Sequence, residues 1–182
     1  MKDTDIIEDL RGKLAMVGGR HLYGVLSSYP AIDHFARRLQ QAKTVDGQPF
    51  PAPISANRGI LDAIPDGQFR ELAGNEAKRP QSAAAEVGRA FEAFVRLRLR
   101  QDGLIVLAHL EMVFAYGIEL SSLRTLSTDQ QRIILLLPGY KEGGRIVMFP
   151  QAGTGSYVLP TNLIAENHLW QLRTDDAPGR MD

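Results

Sequence analysis

The segment from Gly103 to Gly139 places the strongest constraint on how this chain can fold. Two apolar runs with the sequence of β-strands, Leu104–Ala108 and Arg132–Leu137, flank a short amphipathic helical segment. Strands that alternate with helices are typical of an α/β sheet whose middle strands are parallel. We therefore predict an α/β fold, in which a central, mainly parallel sheet is flanked by helices.

The first part of the chain shows the same alternation of strand and helix. His21–Leu26 has the sequence of a strand, Ser27-Ser28-Tyr29-Pro30 follows as a turn, and the next helix ends near Ala42. Pro30 suits the start of that helix, because a proline at the first helical position loses no hydrogen bond. An earlier helix is predicted by apolar residues at helical spacing, namely Ile6, Ile7, Leu10, Leu14 and Val17.

A long helix is predicted to begin at Pro80 or Ser82. Its apolar face consists of Val87, Phe91, Phe94 and Val95. The last turns allow a second interpretation as a strand, since Val95–Arg100 alternates between apolar and basic residues and Asp102-Gly103 is a hairpin signal. The continuity of the apolar face favours the helix.

The last third of the chain predicts an antiparallel hairpin at one edge of the sheet, followed by a tail. Pro138-Gly139 is interpreted as the stop of a strand, and Arg145–Phe149 as the beginning of the antiparallel extension. Tyr157–Leu159 predicts a short strand, and Thr161 is expected to cap a short helix over Asn162–Glu166. We expect one α/β domain at residues 1–173 and a disordered C-terminal tail at residues 174–182.

Composition excludes several classes of function. Lysine plus arginine equal aspartate plus glutamate at 21 each, so the net charge does not attract nucleic acid or an anionic membrane. A local basic face is compatible with this balance. The absence of cysteine excludes disulfides, thiolate nucleophiles and cysteine-based zinc sites. The acidic, amphipathic start does not have the pattern of a signal peptide, and no apolar run is long enough to span a membrane. The sequence therefore predicts a cytoplasmic protein without a cofactor.

Polar residues follow the predicted strands where ligands usually bind, beyond the carboxyl ends of an α/β sheet. If the strands are neighbours, Ser27, Ser28, His109 and Glu111 lie along one rim with the Leu137-Pro138-Gly139 turn. Ser27 and Ser28 stand where a phosphate-binding loop would be, but the chain contains no Gly-x-x-x-x-Gly-Lys-Ser/Thr sequence. Without the lysine and the glycines of such a loop, tight binding of a nucleoside triphosphate is not expected.

His109 and Glu111 are the candidates for chemistry at this rim. A histidine and a carboxylate two residues apart can serve as a general base pair or can both reach one cation. A metal site needs at least one further ligand, and the other histidines, His21, His34 and His168, form no motif. The structural interpretation is that His109 is a polar strand end and Glu111 a cap. We predict no catalytic residue and no metal site, with a hydrolase or nucleotide-binding enzyme as the alternative function.

Three arginines share one face of the predicted long helix. Arg89, Arg96 and Arg100 form a basic stripe that could contact a phosphate backbone or an acidic protein surface. A nucleic-acid-binding module is therefore a second alternative function. Glu86 and Glu92 dilute the stripe, which favours a solvated face with salt bridges.

From Ala52 onward the order of features resembles one family of small proteins. The matching segments are His109 to Phe114 (a polar strand end followed by glutamate and phenylalanine), Leu120 to Leu126 (a Leu-x-x-Leu-Arg-x-Leu helix), Arg132, Pro138-Gly139 and Gly143 to Val147 (a Gly-rich hairpin). These features resemble BrxF, the short P-loop proteins of bacteriophage exclusion (BREX) defence loci. BrxB, another small subunit of the same loci without a phosphate loop, is also similar at Pro138-Gly139-Tyr140.

The resemblance implies a P-loop-like fold inside a multi-subunit defence complex. Arg124 and Arg132 lie within the matching segments and join the four rim residues as binding candidates. The phosphate loop has no counterpart at Val25–Ile32, and His109 replaces the acidic residue that ends the magnesium-binding strand, so ATPase activity is not implied. The expected role is a non-catalytic adaptor or scaffold, with larger subunits of the complex as partners and DNA contacts through a local basic face.

Overall fold

A computed structural model of the 182-residue chain describes residues 1–150 and 157–173. The helices of these ranges are α1 (Asp3–Ala15), α2 (Tyr29–Gln41), α3 (Ala56–Ala63), α4 (Asp66–Asn75), α5 (Pro80–Asp102), α6 (Glu111–Ala115) and α7 (Ser121–Leu126). The strands are β1 (Leu22–Ser27), β2 (Ile54–Ser55), β3 (Leu104–Ala108), β4 (Arg132–Glu142), β5 (Arg145–Met148), β6 (Tyr157–Leu159) and β7 (Leu169–Gln171). A 3₁₀ turn over Glu166–His168 precedes β7.

The central sheet has the strand order β2-β3-β4-β1-β7, and each neighbouring pair in it is parallel. β5 pairs with the last part of β4, and β6 pairs with β5, both in the antiparallel direction. The predicted α/β fold with a mainly parallel central sheet is therefore confirmed. The antiparallel hairpin extends from the end of the central strand β4 and does not add to a lateral edge of the parallel sheet.

The sheet separates two apolar layers, and β4 shows why its sequence is apolar at successive positions. Ile133, Leu135 and Leu137 belong to the layer that contains α3, α5, α6 and α7. Ile134 and Leu136 belong to the layer that contains α1 and α2. Because helices cover both faces, a central parallel strand has no polar side.

The long helix α5 remains helical to Asp102, as the continuous apolar face predicts. Val87, Phe91, Val95 and Leu99 recur at every fourth position and are buried in one layer. Gly103 ends the helix with a positive φ of 69°, a conformation that suits glycine. The alternative of a strand over Val95–Arg100 is therefore wrong.

The expected stop at Pro138-Gly139 is also wrong, because β4 continues through both residues to Glu142. Proline lacks the N–H that a central strand needs, but the pairing of β4 with β3 ends at Leu135, before this position. Pro138 still accepts a hydrogen bond from the Phe149 N–H at 2.8 Å. Gly139 permits β5 to approach, since a Cβ atom at this position would lie 2.4 Å from the Val147 carbonyl oxygen.

Two further local predictions differ from the structure. The short helix expected over Asn162–Glu166 is a turn, because Leu163 and Ile164 are buried in the α5 layer and five residues are too few to stabilise a helix alone. The first helix ends at Ala15, and Val17 lies beyond it with its side chain 93% exposed. The first error concerns a whole element, and the second concerns only the end of one.

The tail predicted at residues 174–182 lies outside the described residues. In residues 1–150 and 157–173, no helix combines the length and the apolar character that crossing a membrane requires.

Candidate functional site

The carboxyl ends of β1, β3 and β4 meet at one rim of the sheet. Ser27 at the end of β1 is in register with Pro138 of β4, and β3 ends beside them at Ala108. The structure thus brings Ser27, Ser28, His109 and the start of α6 at Glu111 to one rim. This is the edge at which parallel α/β sheets usually bind ligands.

Glu111 is the centre of a hydrogen-bond network at this rim. The Tyr29 hydroxyl donates to Oε1 of Glu111 at 2.8 Å, and Nδ2 of Asn57 donates to Oε2 at 2.8 Å. Oδ1 of Asn57 in turn accepts from the backbone N–H of Met112 at 3.0 Å, and the Asn57 N–H donates to the His109 carbonyl at 3.0 Å. The carboxylate therefore ties α2 and α3 to α6.

The hydrogen bond to Glu111 also affects the pKa of Tyr29. Burial raises the pKa of the Tyr29 hydroxyl above its ordinary value of 10.0, and the hydrogen bond and negative charge of Glu111 raise it further. Tyr29 is therefore a permanent hydrogen-bond donor at neutral pH. Each oxygen of Glu111 accepts one hydrogen bond from the protein, and through these bonds the side chain connects α2 and α3 to α6.

His109 is held in an unusual backbone conformation. Its φ is +54°, which few residues other than glycine adopt, and its side chain is exposed. Phe149 at the start of the segment after β5 has a φ of +52° and also lies at this rim, with its N–H bonded to Pro138. Such backbone strain is often found at functional sites. In the described ranges, no hydrogen bond or ion pair joins His109 to Glu111.

The two serines that stand in the place of a phosphate loop differ in their surroundings. Ser27 is 5% exposed, and its Oγ has no hydrogen-bond partner among the described residues. Ser28 is exposed and is the N-cap of α2, yet its side chain makes no capping hydrogen bond. Pro30 lies in the first turn of α2 as predicted.

A groove of about 330 Å³ opens between α2 and the ends of β3 and β4. Asp33 and Arg37 line it from α2, and His109 and Pro138 line it from the strand ends. Among the described residues that line the groove, Arg37 is the one side chain with a permanent positive charge. The groove can receive a side chain or a small polar group but lacks the concentration of cations that a triphosphate requires.

Among the described residues, the histidines do not complete a metal site. No group of three or more histidine, aspartate or glutamate side chains within metal-binding distance is found in the described part of the chain. His34 is bound to Asp3 at 3.1 Å. His21 and His168 lie at the amino-terminal ends of β1 and β7, which is the opposite end of the strands from Glu111.

Arg124 and Arg132 are not gathered with the other binding candidates. Arg124 lies on α7 and is half-buried. Arg132 begins β4, so it lies at the amino-terminal edge of the sheet, where its Nε donates to the Asp129 carbonyl at 2.9 Å. The structure therefore groups Ser27, Ser28, His109 and Glu111 and separates the two arginines from them.

The three arginines of α5 are exposed on one side of the helix. Arg89 is paired with Glu86, and Arg96 with Glu92 at 2.6 Å, in both cases on the same helix. Arg100 is exposed near the end of the helix. Intrahelical pairs of this kind neutralise part of the stripe and are the arrangement of a solvated helix face.

Sequence reasoning missed Tyr29 and Asn57 as partners of Glu111. Tyr29 stands in the turn that the sequence singled out, so the position gave a signal even though the side chain was not considered. Asn57 lies 54 residues from Glu111 in the chain, and nothing in its local sequence indicates the contact.

A second polar cluster lies at the amino-terminal edge of β1. His21 is 2% exposed, and its Nδ1 lies 2.8 Å from the Tyr23 hydroxyl, while Nε2 lies 3.4 Å from Asp129 without forming a hydrogen bond. The ring of His168 packs on Tyr23 with centroids 4.7 Å apart. Burial raises the pKa of Tyr23 to about 12. It lowers the pKa of His21 and of His168 below 6.5, with nearby Arg132 and Lys13 acting in the same direction.

Acid is therefore expected to destabilise the fold through these two histidines. Because their folded-state pKa values are lowered, the unfolded chain binds protons more strongly once the pH falls below 6.5. The free energy of unfolding therefore keeps its full contribution from the two neutral histidines above pH 6.5. Below that pH it falls by up to about 1.4 kcal/mol per pH unit for each histidine. Urea unfolding at pH 7.5 and pH 5.5 measures the loss. A double substitution His21→Gln and His168→Gln should make the loss smaller, and an unchanged loss would contradict the assignment.

No protein-family model, curated protein or solved structure matches this chain.

Proposed function

We propose that this chain is a non-catalytic adaptor or scaffold subunit of a bacterial phage-defence complex, built on a P-loop-like fold that has lost ATP binding. The observation that carries the proposal is the hydrogen bonding of the Glu111 carboxylate. Both of its oxygens accept hydrogen bonds from Tyr29 and Asn57. With one donor on each oxygen, the side chain is fixed in one position, which fits a structural role. Here the carboxylate at the rim holds three helices together.

The sheet supports the P-loop-like part of the proposal. β1 leads into the position of the missing phosphate loop, β3 leads into the position of the acidic residue, and β4 separates them. Two strand spacings amount to about 10 Å, so loops at the ends of β1 and β3 face one another across a single strand end. The matching segments of BrxF correspond to the end of β3, α7, β4 and the β4–β5 turn. This correspondence supports the defence role and the larger subunits as partners.

The α5 stripe favours a protein partner over nucleic acid. Glu86 and Glu92 pair with two of the three arginines, so the local positive charge is small. Binding to a 20-base-pair DNA duplex at 50 mM salt tests the alternative. DNA binding that weakens steeply by 200 mM salt, and that is lost in Arg96→Gln with Arg100→Gln, would transfer the function to nucleic-acid binding.

Titration of ATP and magnesium into the purified protein is expected to give no heat of binding. The reason is the absence of the phosphate-loop lysine and glycines from the whole sequence. Isothermal calorimetry measures binding, and circular dichroism of the same sample shows that the protein is folded. Saturable binding, together with ATP hydrolysis that disappears in Glu111→Gln, would overturn the proposal.

The defence role is tested in the bacterium that carries the gene. Deleting the gene is expected to raise the plating efficiency of phage, and a gene for the Glu111→Gln variant should restore protection where its protein accumulates normally. Tagged chain should also co-purify with larger proteins in fixed stoichiometry. Unchanged plating after deletion would contradict the defence role and leave the binding assays above unaffected.

A further inference from the structure

The three most exposed large apolar side chains among the described residues lie on two loops at the amino-terminal edge of the sheet. Val17 is 93% exposed and Met16 is 63% exposed, and both follow the end of α1. Val45 is 61% exposed and lies in the turn between α2 and β2. Single exposed apolar residues are common on a protein surface, whereas a group of them marks an interaction site. We call these three residues the apolar patch.

A cavity of about 720 Å³ lies between the two loops. Ala15, the last residue of α1, lines it from one side, and Val45 lines it from the other. The Gly18 N–H donates to Oδ1 of Asp129 at 2.9 Å, and Asp129 also lines the cavity. The first loop is therefore attached to the cavity wall at both of its ends, and its two apolar residues lie at the mouth.

The cavity continues the apolar surface of the patch towards the sheet. Ile54 of β2 and Leu104 of β3 line it, and Pro51 extends the same surface. Its volume is within the range of about 300–1,000 Å³ that is typical of binding pockets, so it can receive apolar side chains of a partner. Pockets of this kind are where the strongest contacts of protein interfaces usually lie.

The loop that carries Val45 is held in place by its own contacts. The Thr44 N–H and hydroxyl both bond to the Gln48 carbonyl, at 2.8 and 3.0 Å. Phe50 anchors the segment in the layer beneath α1 and α2. Nε of Arg11 donates to the carbonyl of Lys43 at 2.7 Å, which connects the segment to α1. A preformed surface loses little conformational entropy when it binds a partner.

The charges of the lining favour a partner that is basic at this place. Asp46, Asp102 and Asp129 outnumber Arg98 and Arg132 in the cavity lining. Nη2 of Arg98 contacts Oδ2 of Asp102 at 2.9 Å, and Nε of Arg132 donates to the Asp129 carbonyl at 2.9 Å. Because both arginines are already engaged, the lining presents a net negative charge to a partner.

Two of these aspartates are accessible from outside. Asp46 is exposed at the tip of the turn, and the side chain of Asp129 is 46% exposed. His21 lies beside Asp129, but burial lowers its pKa, so it is neutral at pH 7 and leaves the carboxylate charge in place. Arg20 and Lys43 are exposed on the same loops and do not line the cavity. They therefore lie outside the surface that an inserted apolar side chain would cover.

We propose that the apolar patch and its cavity bind an apolar segment of a larger partner protein that carries a lysine or arginine, whose charge lies near Asp46 and Asp129. The inference rests on the adaptor role proposed above and adds to it the surface and the chemistry of the partner contact. The surface is at the opposite end of the strands from Glu111.

The probes are four hexapeptides with acetylated and amidated ends. Three have the sequence Ser-Leu-Leu-X-Leu-Ser, in which X is lysine, glutamine or glutamate, and the fourth is Ser-Ser-Ser-Lys-Ser-Ser. Each is titrated into ¹⁵N-labelled full-length protein while amide chemical shifts are followed. The peptide with leucine and lysine is expected to give saturable shifts in residues 14–18, 44–54 and 102–104, and to bind about tenfold more tightly than the glutamate peptide.

The other two peptides separate the apolar part from the charge. The glutamine peptide is expected to have an intermediate affinity, and the peptide without leucine is expected not to saturate. Equal or tighter binding of the glutamate peptide, equal binding of the peptide without leucine, or shifts confined to other parts of the chain would overturn the proposal.

Variants of the patch test the apolar contact. Val17→Ser combined with Val45→Ser removes two exposed apolar side chains and should weaken binding of the lysine peptide about tenfold. Val158→Ser is the control, because this valine is 44% exposed on β6, away from the cavity. It should leave the affinity unchanged. Equal affinities of the double variant and the original protein would count against the patch.

A variant of the lining tests the charge. Asp46→Asn should reduce the preference for the lysine peptide over the glutamate peptide from about tenfold to about threefold. Glu119→Gln removes an exposed carboxylate that does not line the cavity and should leave the preference unchanged. The same loss in both variants would show a general charge effect and would contradict the assignment.

The titration needs no larger subunit, so its result does not depend on whether the adaptor role is correct. If larger proteins co-purify with the tagged chain, the double variant Val17→Ser with Val45→Ser should lose them and Val158→Ser should keep them. Retention by the double variant would remove this surface and leave the adaptor role standing. Failure of the plating and co-purification assays would remove the adaptor role, and the peptides would still decide whether the surface binds.

Discussion

Replacing Glu111 by alanine is expected to lower the free energy of unfolding by about 2 kcal/mol, because it leaves two hydrogen-bond donors at the rim without their acceptor. The donors are the Tyr29 hydroxyl and Nδ2 of Asn57, each 2.8 Å from the carboxylate. All three side chains are half-buried, so water compensates for part of the loss. Urea unfolding followed by circular dichroism measures the change. A loss of less than about 0.5 kcal/mol, the usual effect of a surface substitution, would contradict the structural role.

Matched variants distinguish a structural carboxylate from a catalytic one. Glu119→Ala removes an exposed carboxylate eight positions along the same connection and should change stability by no more than about 0.5 kcal/mol. Tyr29→Phe removes one donor, so combining it with Glu111→Ala should give a non-additive effect of about 0.5–3 kcal/mol. Additive effects of the two substitutions would mean that the hydrogen bond contributes nothing to stability.

The parallel sheet could be predicted because its strands have a strong sequence signal. Leu104–Ala108 and Arg132–Leu137 are apolar at successive positions, as central strands covered by helices must be. Because these strands were expected to be neighbours, the sequence also predicted that Ser27, His109 and Glu111 lie at one rim. This prediction did not require their side-chain contacts. Layer architecture and the approximate location of the site follow from such patterns.

The contacts within the site could not be predicted in the same way. Asn57 approaches Glu111 because β2 and β3 are parallel neighbours, which places the start of α3 beside the start of α6. The positive φ of His109 is likewise set by the turn from β3 into α6. Histidine adopts this conformation more often than most residues, but the residue type alone does not predict it. Local sequence describes single elements, whereas these features depend on which elements become neighbours.

Pro138-Gly139 shows how a reliable local rule can fail. Proline and glycine usually interrupt a strand, but here the chain leaves its neighbour β3 before Pro138 and turns to a new partner, β5. The missing N–H of Pro138 and the missing side chain of Gly139 are useful at such a change of partner. The two residues therefore mark the point at which β4 passes from the parallel sheet into the antiparallel hairpin.

Gly139→Ala is expected to lower the free energy of unfolding by about 3 kcal/mol, at the upper end of the usual cost of overpacking. The new Cβ atom would lie 2.4 Å from the carbonyl oxygen of Val147 and 3.1 Å from Sδ of Met148. The nearest atom belongs to the backbone of β5, so a change of rotamer cannot relieve the overlap. The strands must separate where Gly139 faces Met148. Chemical unfolding measures the loss.

Gly12→Ala is the control, since a Cβ atom on this glycine of α1 meets nothing within 4 Å. Alanine favours a helix, so this variant should be more stable by about 0.5–1 kcal/mol.

Comparing Gly139→Ala with Gly12→Ala also tests whether the hairpin folds with the sheet. Ile146, Met148 and Leu159 belong to the same apolar layer as β3 and β4, so damage at Gly139 should lower the stability of the whole domain. Hydrogen exchange that accelerates in β5 and β6 alone, with an unchanged unfolding midpoint, would contradict that cooperativity and would make the hairpin an independent unit.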